Sequence, residues 1–301
     1  MCNTNSFCEN PILMMEAISA LAQTGDKLDD EAKSAICQNA SNIKYASKDA
    51  IRRELEKIIM SQNASSGLME LFECGLLKFV LPQLDRCFYE PQRNKYHVYN
   101  VGEHIIHAVD ASPAVVAVRW AALFHDIGKP ACSSCDSYGV IHFYGHHIES
   151  LKIANDVCHR FAFPPDLTKE ICTLVEYHDV HFEQSIKGVK KALSRLGETI
   201  FPMLLKLQEA DAKAKSPKYF DEKKSGIEML NKLYEKVINS GEPYRYSDLA
   251  IGKRDLIKMK YKADRQMRDV MRILFDEVID TPSLNNREYL LKRAKILKNK
   301  R

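Results

Sequence analysis

The fold class that the sequence predicts is all-α, and two observations carry that prediction. Apolar residues recur at helical spacing along almost the whole 301-residue chain, whereas the alternating pattern of a half-buried strand is nearly absent. Glycine and proline, which interrupt helices, are sparse at 12 and 11 residues. The chain is long enough, and with 45% hydrophobic residues apolar enough, for two or three helical modules with cores of their own.

Composition also excludes several classes of protein. No apolar run is long enough to cross a bilayer, and the N-terminus lacks the basic and apolar regions of a secretory signal, so we expect neither membrane insertion nor export. The nine cysteines are odd in number and scattered through helical patterns, which favours reduced thiols in a cytoplasmic protein over a disulfide framework. A net charge of +4 is too mild to indicate nucleic-acid binding by itself.

The N-terminal module, residues 1–86, is predicted to be a helical neck/body of four segments between Pro11 and Leu84. They are a helix from Ile12 to Thr24 closed by Gly25, a helix capped by Asp29 or Asp30 and running to Asn39, the stretch IRRELEKIIM after a capping pattern at Ser47, and GLMELFECGLLKFVLPQL, which ends at Pro82. It holds no cluster of metal ligands and no phosphate-binding loop, so it is predicted to be a support.

A polar, proline-containing joint, CFYEPQRNKYHVYN at residues 87–100, marks the next boundary. The predicted modules after it are a helical bundle over residues 87–217 and a helical tail over residues 218–301. Helices of the bundle are predicted for VGEHIIHAVDA, for WAALFH, from about His146 to Phe161, from about Asp166 to His178, and for FPMLLKLQEADAKAK, which Ser216 and Pro217 close. His97, in the joint, is predicted either to line a cavity or to be a hydrogen-bonded structural residue.

The stretch WAALFHDIGKP is the first candidate for chemistry, because His125 and Asp126 stand together at the end of an apolar helix. A neighbouring imidazole and carboxylate are costly to bury, and a bound cation would offset that cost. Taken alone, the pair is better explained as the polar end of a helix than as a metal site. Two residues elsewhere favour a metal: His104 lies on the apolar face of its helix, and Asp211 follows Leu207 by four residues on another apolar stripe. A buried carboxylate needs a partner, and the Asp211 stripe contains no arginine.

These observations predict a metal site with four ligands from three helices, namely His104, His125, Asp126 and Asp211. Nitrogen and oxygen donors with two carboxylates suit a divalent ion such as Mn, Fe, Co, Ni, Mg or Zn. His146 and His178, at the ends of two further helices, are predicted to reach the same cavity and to bind a second ion or a phosphate. His107, one turn beyond His104, could share its face.

The order of these residues resembles an HD-domain metal phosphohydrolase, with the central doublet inside HDIGK. QRNKYHVYNVGEH, HDIGKP, FYGHH, LVEYH and LQEADA further resemble the C-terminal HD region of bacterial CCA-adding enzymes (tRNA nucleotidyltransferases). GLLKFVLPQL and ELEKIIMS resemble their neck and body, and LAIGKRDLIKMKY and NNREYLLKRAK resemble their tail. The G-H pattern of that family favours His146 over His147 as the ligand.

The sequence also departs from the pattern of that family at several positions. The nucleotide-binding head of that family has no counterpart in the sequence, and its E-D-x-x-R neck motif reads here Glu9-Asn10-Pro11-Ile12-Leu13. Further arginine positions of the neck read as Glu16 and Ser19, and tail glycines that allow close approach to RNA read as Lys260, Asp264 and Arg268. We therefore expect the chain not to add CCA on its own and to bind tRNA more weakly.

The leading prediction is a metal-dependent phosphohydrolase of nucleotides or RNA ends, of the 2′,3′-cyclic phosphodiesterase or phosphatase type that the resemblance implies. Metal-activated water would attack phosphorus, Asp126 would orient that water, and Lys129 would neutralise charge on the phosphate. The alternative is an RNA-binding or scaffold protein, which binds tRNA or complements a separately encoded nucleotidyltransferase head.

Overall fold

The computed structural model describes residues 4–92 and 98–299, and within them the predicted all-α fold class is confirmed. His97 lies outside the described residues. The helices α1 to α16 are, in order, Thr4–Glu9, Ile12–Thr24, Asp30–Asn39, Lys48–Met60, Ala64–Glu73, Leu77–Val80, Pro82–Cys87, Val101–Ala111, Val116–Phe124, His146–Arg160, Pro165–Tyr177, Ile186–Lys213, Pro217–Ser240, Lys253–Lys258, Arg265–Asp280 and Arg287–Asn299. Short 3₁₀ turns separate several of them.

The first helices of the chain begin and end where their capping residues predict. Gly25 ends α2 in the left-handed conformation, with φ of 82°, and its N–H donates to the carbonyl of Leu21. The Asp29 carboxylate accepts from the amide of Ala32 at the start of α3, and the Ser47 hydroxyl accepts from the amide of Ala50 at the start of α4.

The segment predicted as one helix ending at Pro82 is instead three helices, α5, α6 and α7, so that prediction was wrong. Gly75 adopts a positive φ of 72° and ends the first of them in a turn. Pro82 begins α7, because a first-turn residue makes no intrahelical N–H bond that proline would remove.

Helix α9 is the buried centre of the part that carries the candidate site. Every residue from Ala117 to Phe124 is buried, including the polar side chain of Arg119. The Arg119 guanidinium donates to the carbonyls of Ile59, in the last turn of α4, and of Ser61, just past it, and the Trp120 indole donates to Glu56. These bonds anchor α9 to the N-terminal helices and fix the position of the doublet that follows it.

The loop between α9 and α10 contains a short antiparallel hairpin that the sequence did not predict, with β1 at Ser134–Cys135 and β2 at Ile141–His142. Asp136 organises its turn. One oxygen of that carboxylate accepts from the amides of Tyr138 and Val140, and the other lies 2.8 Å from Nε2 of His142. The periodicity of two-residue strands is too short to read from a sequence.

The chain forms two compact units. The first contains the residues up to Val180 together with Met203–Ser225, and the second contains His181–Pro202 with the residues from Gly226 onward. The second unit has its own core around Leu256, Leu274, Phe275 and Leu290. The division into modules 1–86, 87–217 and 218–301 stays a prediction.

The remaining findings concern α12, the cysteines and the length of the helices among the described residues. Residues 201–213 of the predicted helix FPMLLKLQEADAKAK form the last part of α12, whose backbone kinks at Gly197, with φ of 81° and ψ of 170°. The eight cysteines among the described residues are all free thiols. None of the helices described is both long and apolar enough to cross a bilayer.

Candidate metal centre

Helix α8 places His104 in the interior of the protein. Asn100 caps the helix by accepting from the amide of Glu103, whose carboxylate in turn accepts from the amide of Asn100. With the first turn fixed in this way, the helical period places His104 on the buried face, where its side chain is fully inaccessible to solvent. His107, predicted to share that face, is only half-buried, its ring lies 4.3 Å from the ring of Tyr99 at a tilt of 33°, and it does not belong to the ligand cluster.

His125 and Asp126 follow α9 directly and are both buried. The amide of His125 donates to the carbonyl of Ala121, so His125 continues the backbone hydrogen bonding of α9. The chain leaves the helical direction after the doublet. Gly128, two residues on, packs against the start of α10. A Cβ atom at this position would meet the amide nitrogen of Ser150 at 2.5 Å and the carbonyl oxygen of His146 at 2.8 Å. Only glycine allows this approach of the doublet to α10.

The structure brings the four predicted ligands of the first cluster together, with one donor atom of each aimed at a common point. Nε2 of His104 lies 3.2 Å from Nε2 of His125, 3.2 Å from Oδ2 of Asp126 and 3.1 Å from Oδ1 of Asp211. Nε2 of His125 lies 3.2 Å from the same Asp126 oxygen and 3.4 Å from Oδ1 of Asp211.

The predicted second cluster forms on the other oxygen of the same carboxylate. Oδ1 of Asp126 lies 3.2 Å from Nε2 of His146 and 3.7 Å from Nε2 of His178, and these two nitrogens are 3.4 Å apart. Asp126 therefore belongs to both clusters, with one oxygen in each. The neighbouring His147 does not join them, which agrees with the choice of His146 from the sequence.

All four histidines have the tautomer that a metal ligand needs. Their Nδ1 atoms lie 2.7–3.2 Å from backbone carbonyl oxygens, which belong to Ala214, Ala122, Phe143 and Val175 for His104, His125, His146 and His178 respectively. A carbonyl oxygen can only accept, so Nδ1 carries a hydrogen and Nε2 is the nitrogen that faces the cluster, where it can bind a metal once it carries no proton. Backbone carbonyls are the usual partners that orient a metal-binding imidazole.

Lys129 is buried and its ammonium points into the site. Nζ lies 2.6 Å from Oδ2 of Asp126 and donates to the buried amide oxygen of Gln92 at 2.8 Å. Burial acts to raise the pKa of Asp126, but the charges of Lys129 and His125 outweigh burial and hold that pKa well below its usual range. Asp126 is thus a carboxylate at neutral pH. Gln92 has no sequence signal that would have marked it as part of the site.

The partner of Asp211, which sequence reasoning did not find, is Lys215. Its ammonium lies 2.7 Å from Oδ2 of Asp211, one turn away in sequence. Burial acts to raise the pKa of Asp211, but Lys215 and His104 outweigh it and hold that pKa well below its usual range. The other oxygen, Oδ1, is buried and accepts no hydrogen bond, although two imidazole nitrogens face it. The i, i+4 spacing of an acid and a lysine was the signal available in the sequence.

The remaining ionisation states fit the same arrangement. Burial opposes the charged form of His125, but the carboxylates of Asp126 and Asp211 outweigh it and raise the pKa of His125 to about 9. Burial lowers the pKa of His178, which keeps that ring neutral with its lone pair free. A proton on His125 partly offsets the concentration of negative charge at the first cluster.

The donor set fits divalent metal ions. Two ligand atoms that share an ion at ~2.1 Å lie roughly 3.0–3.4 Å apart, and the separations of 3.1–3.4 Å in the first cluster fall in that interval. The buried Oδ1 of Asp211 without a hydrogen bond is an acceptor that a cation would satisfy. Two imidazoles with two carboxylates suit the ions from Mg and Mn to Zn and do not select one of them.

Two known protein families match separate ranges of the chain. Residues 27–88 match the family described as a probable RNA and SrmB-binding site of polymerase A. Residues 95–217 match the HD domain family, and that range contains every residue of both clusters.

Curated relatives and solved structures point to one group of proteins. The chain is 26% identical over 202 residues to the multifunctional CCA protein of Cupriavidus pinatubonensis, an alignment covering 65% of this chain and 48% of that protein. It is also 26% identical over 225 residues to the A-adding tRNA nucleotidyltransferase of Deinococcus radiodurans, covering 71% and 51%. The chain spans about half the length of the curated relatives it matches.

The fold is that of a solved structure from the same group. The Bacillus stearothermophilus CCA-adding enzyme, crystallised in complex with CTP, aligns with 98% of this chain and 64% of its own length, with a TM-score of 0.58 and 15% identity. At this identity the likeness concerns the fold alone.

Proposed function

This chain carries an HD domain and is homologous to the C-terminal region of CCA-adding enzymes, and from that premise we propose that it is a metal-dependent phosphohydrolase of nucleotides or RNA ends. The single observation that carries the proposal is the division of Asp126 between two clusters. Its two oxygens face the Nε2 atoms of four imidazoles, two on each side. Holding this many metal-binding donor atoms together away from water is costly, and divalent ions would offset that cost.

In the proposed site, His104, His125, Asp211 and Oδ2 of Asp126 hold one divalent ion. His146, His178 and Oδ1 of Asp126 hold a second ion or the substrate phosphate. When bound, such ions supply Lewis-acid polarisation of a phosphoryl oxygen and a water nucleophile at neutral pH.

The residues of the chain provide orientation and charge. Asp126 accepts from the attacking water and aligns it, since its carboxylate lies between the two clusters. Lys129 keeps Asp126 ionised and oriented through their 2.6 Å ion pair. We had expected Lys129 to meet the phosphate directly. Because its ammonium is already bound by Asp126 and Gln92, we propose that it acts as a positioning residue.

The proposed substrates are 2′,3′-cyclic phosphates and phosphomonoesters of nucleotides or RNA ends. CCA addition is not proposed for this chain alone, because Asn10 and Leu13 stand where the related neck motif has an aspartate and an arginine. Neither side chain can present the paired charged edge that would select an incoming nucleotide.

The test compares two histidines of the same helix. His104→Ala removes a proposed ligand, and His107→Ala removes a half-buried imidazole outside the clusters. We expect His104→Ala to lose bound metal and at least ~100-fold of the hydrolysis of 2′,3′-cyclic AMP, while His107→Ala retains both. Full activity in His104→Ala, or a metal-free and inactive native protein after reconstitution with each candidate ion, would reject the proposal.

A second function is favoured by the match of residues 27–88 to a probable RNA-binding site. The chain would then bind tRNA, or complement a separate nucleotidyltransferase head, and retain its metal for stability. Purification from cells followed by sequencing of bound RNA and mass spectrometry of bound proteins tests this function. If it is the main one, tRNA or a head protein is recovered, and His104→Ala leaves that recovery unchanged.

A further inference from the structure

We infer that the chain has a nucleobase subsite in the cavity between the first turn of α10 and the last turn of α11. The inference rests on the proposed function and names the part of the substrate that lies beside the phosphate. The cavity has a volume of about 320 Å³. That is at the lower end of the ~300–1,000 Å³ range of small-molecule pockets, as expected for a base with its sugar.

The position of the cavity ties it to the second cluster. Its lining includes His147 and Asp179, each of which directly follows a ligand, His146 and His178 respectively. The ring of His147 lies 6.0 Å from the ring of His146, nearly perpendicular to it. The ring that would contact a phosphate at the second cluster is thus a neighbour of a ring that lines the cavity, close enough for one nucleotide to reach both.

The lining offers flat and apolar surface. Ile148, Leu151, Tyr177 and Val180 form its walls. Ile148 is 64% exposed and Val180 is 36% exposed, although both are large hydrophobic residues next to a polar site. A nucleobase covers such side chains with its own apolar faces and keeps its edge free for hydrogen bonds.

The charged residues of the lining decide what part of a nucleotide fits. Among the lining residues, Glu176 and Asp179 are acids, and none is a lysine or an arginine. Carboxylates repel phosphate but accept hydrogen bonds from the exocyclic amino group of a base. The cavity therefore takes a base that carries an amino group, such as cytosine or adenine, in preference to uracil, which presents a carbonyl oxygen at the same place.

Three substrates test the inference: 2′,3′-cyclic CMP, 2′,3′-cyclic UMP and bis(p-nitrophenyl) phosphate, which has no base. We expect kcat/KM for the cytidine substrate to exceed that for the uridine substrate at least ~10-fold, with the difference in KM, because a hydrogen bond to a charged acceptor contributes at least that much to binding. Glu176→Gln should abolish the preference without changing hydrolysis of the base-free substrate. Glu170→Gln, on the same helix but outside the cavity, should retain it.

A second variant tests occupancy of the cavity. Ile148→Trp fills the space, so it should raise KM for both cyclic nucleotides at least severalfold and leave the base-free substrate unaffected. Equal kcat/KM for the cytidine and uridine substrates in the native protein, or unchanged nucleotide KM in Ile148→Trp, overturns the subsite. If the native protein hydrolyses none of the three substrates, the proposed function is overturned instead, so the two failures are distinct.

Discussion

Nε2 of His104 lies 3.2 Å from Nε2 of His125, although the Nδ1 atom of each ring already faces a backbone carbonyl. Two imidazole lone pairs at this distance repel each other unless positive charge lies between them. A proton supplies part of that charge, since Asp126 and Asp211 raise the pKa of His125 to about 9 against the effect of burial. A divalent ion would satisfy both rings and both carboxylates together.

The division of Asp126 between the clusters predicts how metal content responds to substitution. Asp126→Asn should lower the affinity for both ions by at least ~100-fold, because it weakens a ligand of each. Asp211→Asn should affect only the first ion and His178→Ala only the second. Elemental analysis after dialysis against limiting Mn²⁺ or Zn²⁺ gives the stoichiometry, and Asp126→Asn with one full equivalent bound would contradict a shared carboxylate.

Lys215 should stabilise the metal-free protein through Asp211. Lys215→Met leaves Asp211 charged and buried without its ammonium, so the free energy of unfolding in EDTA should fall by ~3 kcal/mol. Added metal should restore most of the loss, because a cation replaces the missing charge. The measurement is urea unfolding with and without metal.

A lysine two residues earlier provides the matched control for that experiment. Lys213 pairs with Glu209 at 2.7 Å, but both side chains are about 40% exposed. Lys213→Met should therefore change stability by no more than ~0.5 kcal/mol, with or without metal. Equal losses of stability in Lys215→Met and Lys213→Met would contradict a specific stabilising role of the ion pair between Lys215 and Asp211.

Much of the site could be predicted because helical phase is a local property. The spacing of apolar residues around His104 and Asp211 places both on buried faces, and no knowledge of the tertiary fold is needed for that step. His125 and Asp126 were recognisable as candidates because they stand next to each other at the end of an apolar helix. Several polar side chains on buried faces are costly unless they share a partner, and this cost led to the prediction that they form one site.

The features that the sequence did not predict depend on contacts between distant segments. Which oxygen of Asp126 faces which histidines is set by the packing of α9 against α10 and α11, and Gln92 reaches Lys129 from a segment without periodicity. The segment predicted as one helix before Cys87 is divided into three helices. The division arose from Gly75, because its positive φ outweighed the continuous apolar pattern. Lys215 was missed although its i, i+4 spacing from Asp211 is visible in the sequence.

In the second unit, the pairing of Asp255 with Arg287 predicts an acid-sensitive contribution to stability. The hydrogen bond from Arg287, with that from the amide of Gly252, lowers the pKa of Asp255 to about 2. A lowered carboxyl pKa stabilises the folded state above the unfolded value of ~3.9, and this contribution is lost as the pH falls from about 4 towards 2. The melting temperature of Asp255→Asn should be below that of the native protein at pH 7, and the difference should shrink at pH 3. A difference independent of pH would contradict the assignment.

Gly128 should be required for the second cluster. Its φ of −84° suits alanine, so the effect of Gly128→Ala comes only from the added Cβ, which would meet the amide nitrogen of Ser150 at 2.5 Å and the carbonyl oxygen of His146 at 2.8 Å. Relieving this contact moves the first turn of α10 away from Asp126, at a cost of ~1–3 kcal/mol of stability. We expect the variant to lose the second metal equivalent and to retain the first.

Gly252→Ala is the matched control, because no atom lies within 4 Å of a Cβ built there and its backbone is extended. Urea unfolding and metal stoichiometry of the two alanine variants, measured side by side, separate a local clash from a general effect of replacing glycine. If Gly128→Ala bound both ions with native stability, the close approach of the doublet to α10 would not position His146, and the second cluster would depend on the histidines alone.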